Sequence, residues 1–152
     1  MRTATVSTGL VFILTLLLTA NAFAQRGMRW KGSGGWGPAS TYNRMYDPKT
    51  VETIRGEVVS VDTMTYGRGM SYGIHLMVKT DRETIPVHLG PGWYIQNQDL
   101  QIEPKDVIQV KGSRISFNGA PALIAAEVRK GDEILRLRDD HGFPAWSGWR
   151  RR

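Results

Sequence analysis

The sequence predicts an all-β domain, and three observations carry that expectation. From residue 53 onward, apolar and polar residues alternate over short runs, as in Ile74, Leu76 and Val78 and again in Ile85, Val87 and Leu89. Turn signals separate the runs, the strongest being Asn118-Gly119, which suits a type I′ hairpin. One break interrupts the pattern, at residues 90–105, where Pro91 opens a short helix at Trp93-Tyr94-Ile95.

The elements follow in order. Residues 53–63 form a first strand whose apolar parity changes between Val58 and Val59, close to Gly56, which predicts a bulge or strong bend. Residues 72–80 and 83–89 form a hairpin around Asp81-Arg82, so that Thr80 faces Glu83 and Leu76 faces Val87 on the inner side. Trp93 and Tyr94 plug the base of the domain. Residues 106–112 resume as a strand with Ile108 and Val110 inward, and residues 114–117 join 122–128 through the Asn118-Gly119 turn. A second turn at Lys130-Gly131-Asp132 returns the chain through residues 134–137. Bend, hairpin, helix and second β unit give the order of a small five- to six-stranded OB-like Greek-key barrel with a short helical plug. An open β-sandwich gives much the same pattern. The expected core comprises Ile54, Val58, Ile74, Leu76, Val78, Ile85, Val87, Leu89, Ile108, Val110, Ile124 and Val128.

Ahead of the domain, residues 1–24 read as a signal peptide. Arg2 supplies a positive start, residues 9–20 an apolar run, and Ala22-Phe23-Ala24 a small-x-small cleavage pattern before Gln25. The competing reading is a membrane anchor, but a span needs about 20 apolar residues and this run is shorter. Cleavage leaves no transmembrane span and a periplasmic or secreted protein, which removes ATP-driven chemistry and most gene regulation from the function classes. The chain contains no cysteine, so thiol nucleophiles, thiolate metal sites and C-x-x-C-H haem attachment are excluded.

Charge divides the chain further. Residues 47–140 hold 12 cationic and 14 anionic side chains, a net of −2, whereas Arg26, Arg29, Lys31 and Arg44 precede them and Arg150, Arg151 and Arg152 follow, a net of +7. Trp30, Trp36, Trp146 and Trp149 lie in the same flanks. The expected organisation is a signal peptide at 1–24, a flexible Gly/Trp/Arg-rich linker at 25–46, the barrel at 47–142 and a Trp/Arg-rich tail at 143–152. The linker shows no apolar period, so deleting residues 25–40 is expected to leave the melting temperature nearly unchanged.

Four stretches carry a resemblance: Arg55-Gly56-Glu57-Val58-Val59, Gly90-Pro91-Gly92-Trp93-Tyr94, Val110-Lys111-Gly112-Ser113, and Leu137-Arg138-Asp139-Asp140-His141-Gly142-Phe143-Pro144-Ala145-Trp146. Over about residues 45–149 the chain resembles exported bacterial OB-like proteins of the MamS/MamX magnetosome type, some of them labelled DNA-binding. The resemblance implies a scaffold more than a chemistry. The MamX type carries covalent haem motifs, which a chain without cysteine does not share.

Three candidate sites emerge. With the Asp81-Arg82 turn, His75 lies opposite His88 on the outer side, with Met77 the next outward residue and Met64 and Met70 in the preceding Gly-rich loop. Imidazole and thioether together suit copper, and two histidines also suit zinc; the alternative is an ordinary pair on a polar face. An OB ligand face uses aromatics for stacking and cations for phosphate, for which Tyr66, Arg68, Tyr72 and Lys79 are placed, unless the tyrosines merely close one end of the barrel. The arms, Arg26, Arg29, Trp30 and Lys31 at one end and Arg150, Arg151 and Arg152 at the other, suit a polyanion such as nucleic acid or a membrane headgroup layer.

Catalysis finds no support in the pattern. Ser113 and Ser116 have no histidine and acid at a recognisable spacing, Glu127 lies beside Arg129 and Lys130, and Asp139-Asp140 follows Arg138 in a turn. The sequence therefore predicts a non-catalytic binding or accessory module without a cofactor. Its partner is an envelope protein, or else a polyanion bound through arms and barrel face; metal handling at the histidine pair stands third.

Overall fold

The first strand sets the architecture because it serves two neighbours. In a computed structural model of the chain, which describes residues 34–148, β1 (Val51–Met64) pairs antiparallel with β4 (Val107–Phe117) through its first half and with β2 (Gly73–Lys79) through its second. The changeover lies at the expected bulge: Val58 opposes Val78, Ser60 opposes Met77, and Val59 is left without a cross-strand partner. Two residues against one increases local twist and turns the strand from one neighbour to the other. Gly56 sits under the Lys79 carbonyl, where a β-carbon would collide with backbone. The bend is pinned from outside by reciprocal bonds, Val58 N to Asp106 O at 2.8 Å and Lys105 N to Val58 O at 2.7 Å.

β2 returns into β3 (Thr84–Pro91) through Asp81-Arg82 in the expected register, with Leu76 opposite Val87 and His75 opposite His88. Thr80 fastens this turn: its hydroxyl accepts from the amides of Arg82 and Glu83 and donates to the Glu83 carbonyl. A four-residue helix, α1 (Gly92–Ile95), follows β3. β4 then runs unbroken for 11 residues, where the sequence suggested two strands. Its register against β5 (Ala120–Lys130) shifts between Lys111 and Gly112, so the apolar parity changes within one strand and mimics an interruption. Asn118 and Gly119 both have positive φ, 51° and 79°, as a type I′ turn requires. β6 (Glu133–Arg136) completes the sheet from β5 across Gly131-Asp132.

The fold is thus all-β: six strands in the order β3-β2-β1-β4-β5-β6, every neighbour antiparallel. A short parallel pairing, Val87 with Leu123 and His88 with Ile124, also joins β3 to β5. The core is formed by the inward faces of these strands, with Leu76, Val78, Val87, Val110, Leu123, Ile124 and Val128 all fully buried. Eleven of the twelve expected core residues are buried; Ile54 is only half-buried, at the rim beside the Thr80–Glu83 turn. Because Leu76 is 0% exposed, Leu76→Ala should cost about 2–5 kcal/mol in chemical denaturation. An unchanged midpoint would remove it from the core and overturn the strand parity.

The expectation of a linker at 25–46 is corrected over its described part. Trp36, Tyr42 and Tyr46 are buried in the core cluster, and Asn43 bonds through its side-chain amide to the carbonyls of Pro38 and Gly142. Glycines before Trp36 suggested a mobile segment, yet one large indole needs no period to be buried. In the tail, where residues 143–146 are expected to pack back on the domain, Trp146 does so, buried with its indole donating to the Trp36 carbonyl at 2.8 Å, while Phe143 is exposed. The signal peptide and the arm residues Arg26, Arg29, Trp30, Lys31, Arg150, Arg151 and Arg152 lie outside the described residues.

Candidate functional site

The outer face of the β2–β3 hairpin is where sequence and structure diverge most. Alternation places His75 and His88 there, away from Leu76 and Val87, and predicts that both face solvent. His88 is instead 1% exposed, because residues 36–46 and the 65–72 loop fold over it. Tyr42 OH lies 2.9 Å from its Nδ1, and its ring centre lies 4.4 Å from Tyr66 and 5.0 Å from Phe117. The outer face thereby carries a second, aromatic packing layer. It holds Trp36 edge-on to Tyr42, Tyr66 and Trp146.

This layer encloses polar groups. Burial, then His75 and Arg138, push the His88 pKa down to about 3, so the imidazole is neutral. Burial likewise raises the phenol pKa values of Tyr42 and Tyr66, opposed by the Arg138 cation. Arg138 has only 6% exposure, and its Nη1 donates to the carbonyls of Leu89 and Ala125 while its guanidinium lies over Trp146, 4.8 Å from the ring centre. Leu89 and Ala125 are the next residues after the two parallel pairs of β3 and β5. Arg138 continues that seam where the strands stop pairing.

A neutral buried histidine gives a pH dependence of known sign. The unfolded chain protonates His88 below about 6.5 and the native one only near 3. Its contribution to stability is therefore present above pH 6.5 and lost as the pH falls toward 3, at up to about 1.4 kcal/mol per pH unit. His88→Gln should flatten the stability profile between pH 6.5 and 5, where most carboxylates stay ionised; equal slopes for both proteins would place the proton elsewhere.

As a metal site the pair is poorly furnished. The two imidazole centres lie 6.3 Å apart, His75 Nε2 is 3.9 Å from Asp62, and the Nδ1 of His88 is engaged by Tyr42. Met77 faces Pro86 further along the hairpin. Among the described residues no three His, Cys, Asp or Glu side chains are grouped to hold a metal ion.

The expected ligand face divides in two. Tyr66 and Arg68 come together at a pocket of about 360 Å³ between residues 40–45, the 65–72 loop and the end of β4, walled by Tyr42, Met45, Met70 and Phe117. Tyr66 is buried rather than exposed for stacking, because the N-terminal segment covers it. Tyr72 packs against Gly92 and donates its hydroxyl to Gln96, and Lys79 lies at the opposite end of β2. Tyr42, Phe117 and Arg138 were missed from sequence. Only the helix-free approach of Phe117 to the Asn118-Gly119 turn marked one of them as lying at a loop end.

A larger groove, about 840 Å³, surrounds Arg114. Three of its charges pair with one another: Arg114 donates to Glu52 at 2.7 Å and to Glu83, which holds the Glu83 carboxyl below its usual range. That ties β4 to β1 and to the β2–β3 turn, while Arg55, Asp81 and Arg82 on the same rim are in none of the described ion pairs.

Fold and site together define a small all-β protein with an aromatic pocket at one end of its sheet. Residues 50–135, more than half of the 152-residue chain, match the MamS/MamX magnetosome protein family. The chain belongs to that family. The match spans β1 to β5 and most of β6 and includes Tyr66, Arg68, Met70 and Phe117, while Tyr42, Met45, Arg138 and Trp146 lie outside it. No curated protein matches the chain. Among the described residues no helix is long and apolar enough to cross a membrane.

Proposed function

We propose that this protein is an exported, non-catalytic accessory module of the cell envelope that binds a partner through the pocket beside the 65–72 loop. Family membership supports a magnetosome-associated accessory role, and the small-x-small pattern before Gln25 supports export. The β3–β5 parallel pairing supports reading β1–β5 as an OB-like Greek-key barrel, with α1 as the plug between β3 and β4. In that architecture the connections β1–β2 and β4–β5 flank the ligand side. The observation that carries the reading is that a pocket walled by Tyr42, Tyr66 and Phe117 lies between those two connections. Such concave, largely apolar sites with a few polar groups are where ligands bind.

The test is capture of envelope components by the immobilised chain at rising salt. A protein partner held by apolar contact should stay bound as salt increases, whereas a polyanion held by the flanking arginines should be released steeply. Retention at high salt is the expected result. Release at moderate salt, together with loss of capture on deleting Arg150, Arg151 and Arg152, would replace this reading with polyanion binding.

A further inference from the structure

The pocket's construction narrows what it receives. The 65–72 loop is anchored on both sides: Tyr66 is buried, the Ser71 amide donates to Gly34 O at 2.8 Å, and the Trp36 indole donates to Ser71 O at 3.0 Å. Between these anchors the chain turns, with Met70 N bonded to Gly67 O and Gly69 at φ 78°, and Arg68 stands at the tip. Arg68 is exposed, lines the pocket and has no ion pair among the described residues. No carboxylate shares the pocket with it.

The walls select for a ring. Half-buried Phe117 offers ring surface to an aromatic group over a floor that includes the buried Tyr42 and Tyr66, and the half-buried thioethers of Met45 and Met70 add adaptable sulfur contacts. A volume of about 360 Å³ is at the small end for ligand pockets and admits one ring-bearing group rather than a length of chain. The single unpaired cation asks for a negative charge beside that ring. A nucleotide and an aromatic residue next to a carboxylate both meet this description. Single-strand binders, however, present a row of exposed aromatics and several cations along a groove. Here both tyrosines are buried, one cation serves the pocket, and residues 47–140 carry a net charge of −2.

We propose that this pocket receives one aromatic side chain of a partner protein, with an adjoining carboxylate of that partner paired to Arg68. The proposal rests on the binding-module reading and gives it a ligand chemistry. It is tested by following backbone amide resonances of the full chain with three probes: N-acetylphenylalanine, its uncharged amide, and a thymidine dinucleotide. The expected result is saturable shifts at residues 67–70 and 117 with N-acetylphenylalanine, binding about three- to five-fold tighter than the amide, as one exposed ion pair provides. Arg68→Gln should abolish that preference, and Thr41→Trp, which adds bulk at an exposed wall position, should abolish the shifts with the melt preserved. Absence of saturable shifts at these amides, equal affinity for acid and amide, or tighter binding of the dinucleotide would each overturn it. Envelope capture separates this proposal from the reading beneath it. A Thr41→Trp chain that captures the same partner as the unaltered chain sinks the pocket and spares the module. An unaltered chain that captures nothing, yet still binds N-acetylphenylalanine at the pocket, does the reverse.

Discussion

Trp36→Ala should destabilise the chain by about 3–5 kcal/mol in chemical denaturation, the usual cost of removing a large buried aromatic. Trp36 is 1% exposed and touches both ends of the described chain. Its ring meets Tyr42 at 5.1 Å and Tyr66 at 5.3 Å between centres, its indole nitrogen donates to Ser71 O, and its own carbonyl accepts from Trp146. Gly73 lies so close beneath Trp36 and Tyr66 that a β-carbon there would collide with both rings. Truncation to alanine therefore leaves a cavity beside Gly73 and removes the packing of Tyr42 and Tyr66, the two rings that lie against His88. Deleting residues 25–40, expected from sequence to be silent, should now lower the melting temperature for the same reason. A Trp36→Ala protein as stable as the parent would show that the segment merely lies on the surface.

That reversal shows which kind of information the sequence carried. Asn118-Gly119, the Val58/Val59 parity change and the pairing of Leu76 with Val87 are local: each follows from a turn type or a two-residue period, and each is present in the structure. The burial of His88 is not local. Its strand position assigns it to the outer face correctly, and only residues 36–46, arriving from more than 40 positions upstream in the chain, make that face interior. The same covering takes Tyr66 out of solvent, while Arg68, Tyr72 and Lys79 of the expected ligand face stay exposed and only Arg68 shares a pocket with Tyr66 among the described pockets. Period-based reading sees faces; it does not see what later covers them. The β3–β5 seam lies beyond it too, since two parallel pairs between strands 36 residues apart leave no pattern in either strand.

Arg138 closes that seam, and replacing it should have the second large effect. Its Nη1 bridges the carbonyls of Leu89 and Ala125, and no carboxylate is paired with it among the described ion pairs. Burial lowers its pKa, yet a guanidinium stays charged at any pH where the protein folds. Two effects oppose one another. Deleting the side chain relieves a desolvated cation, worth several kcal/mol. It also leaves two buried carbonyls without donors at about 1–3 kcal/mol each, forfeits the contact with the Trp146 face, and opens a cavity. The guanidinium is solvated only in part, through Nη1 by those carbonyls and by that ring, while Nε and Nη2 are buried without a hydrogen-bond partner; two orphaned carbonyls and a cavity together still outweigh the relief. Arg138→Ala should cost about 3–5 kcal/mol. Arg138→Met, which fills the space without donating, should fall between alanine and the parent. The gap between methionine and alanine then measures the cavity, and the gap between the parent and methionine measures the two bonded carbonyls. A methionine variant as stable as the parent would mean that burying the charge costs as much as its bonds return, and that the β3–β5 seam holds without its clasp.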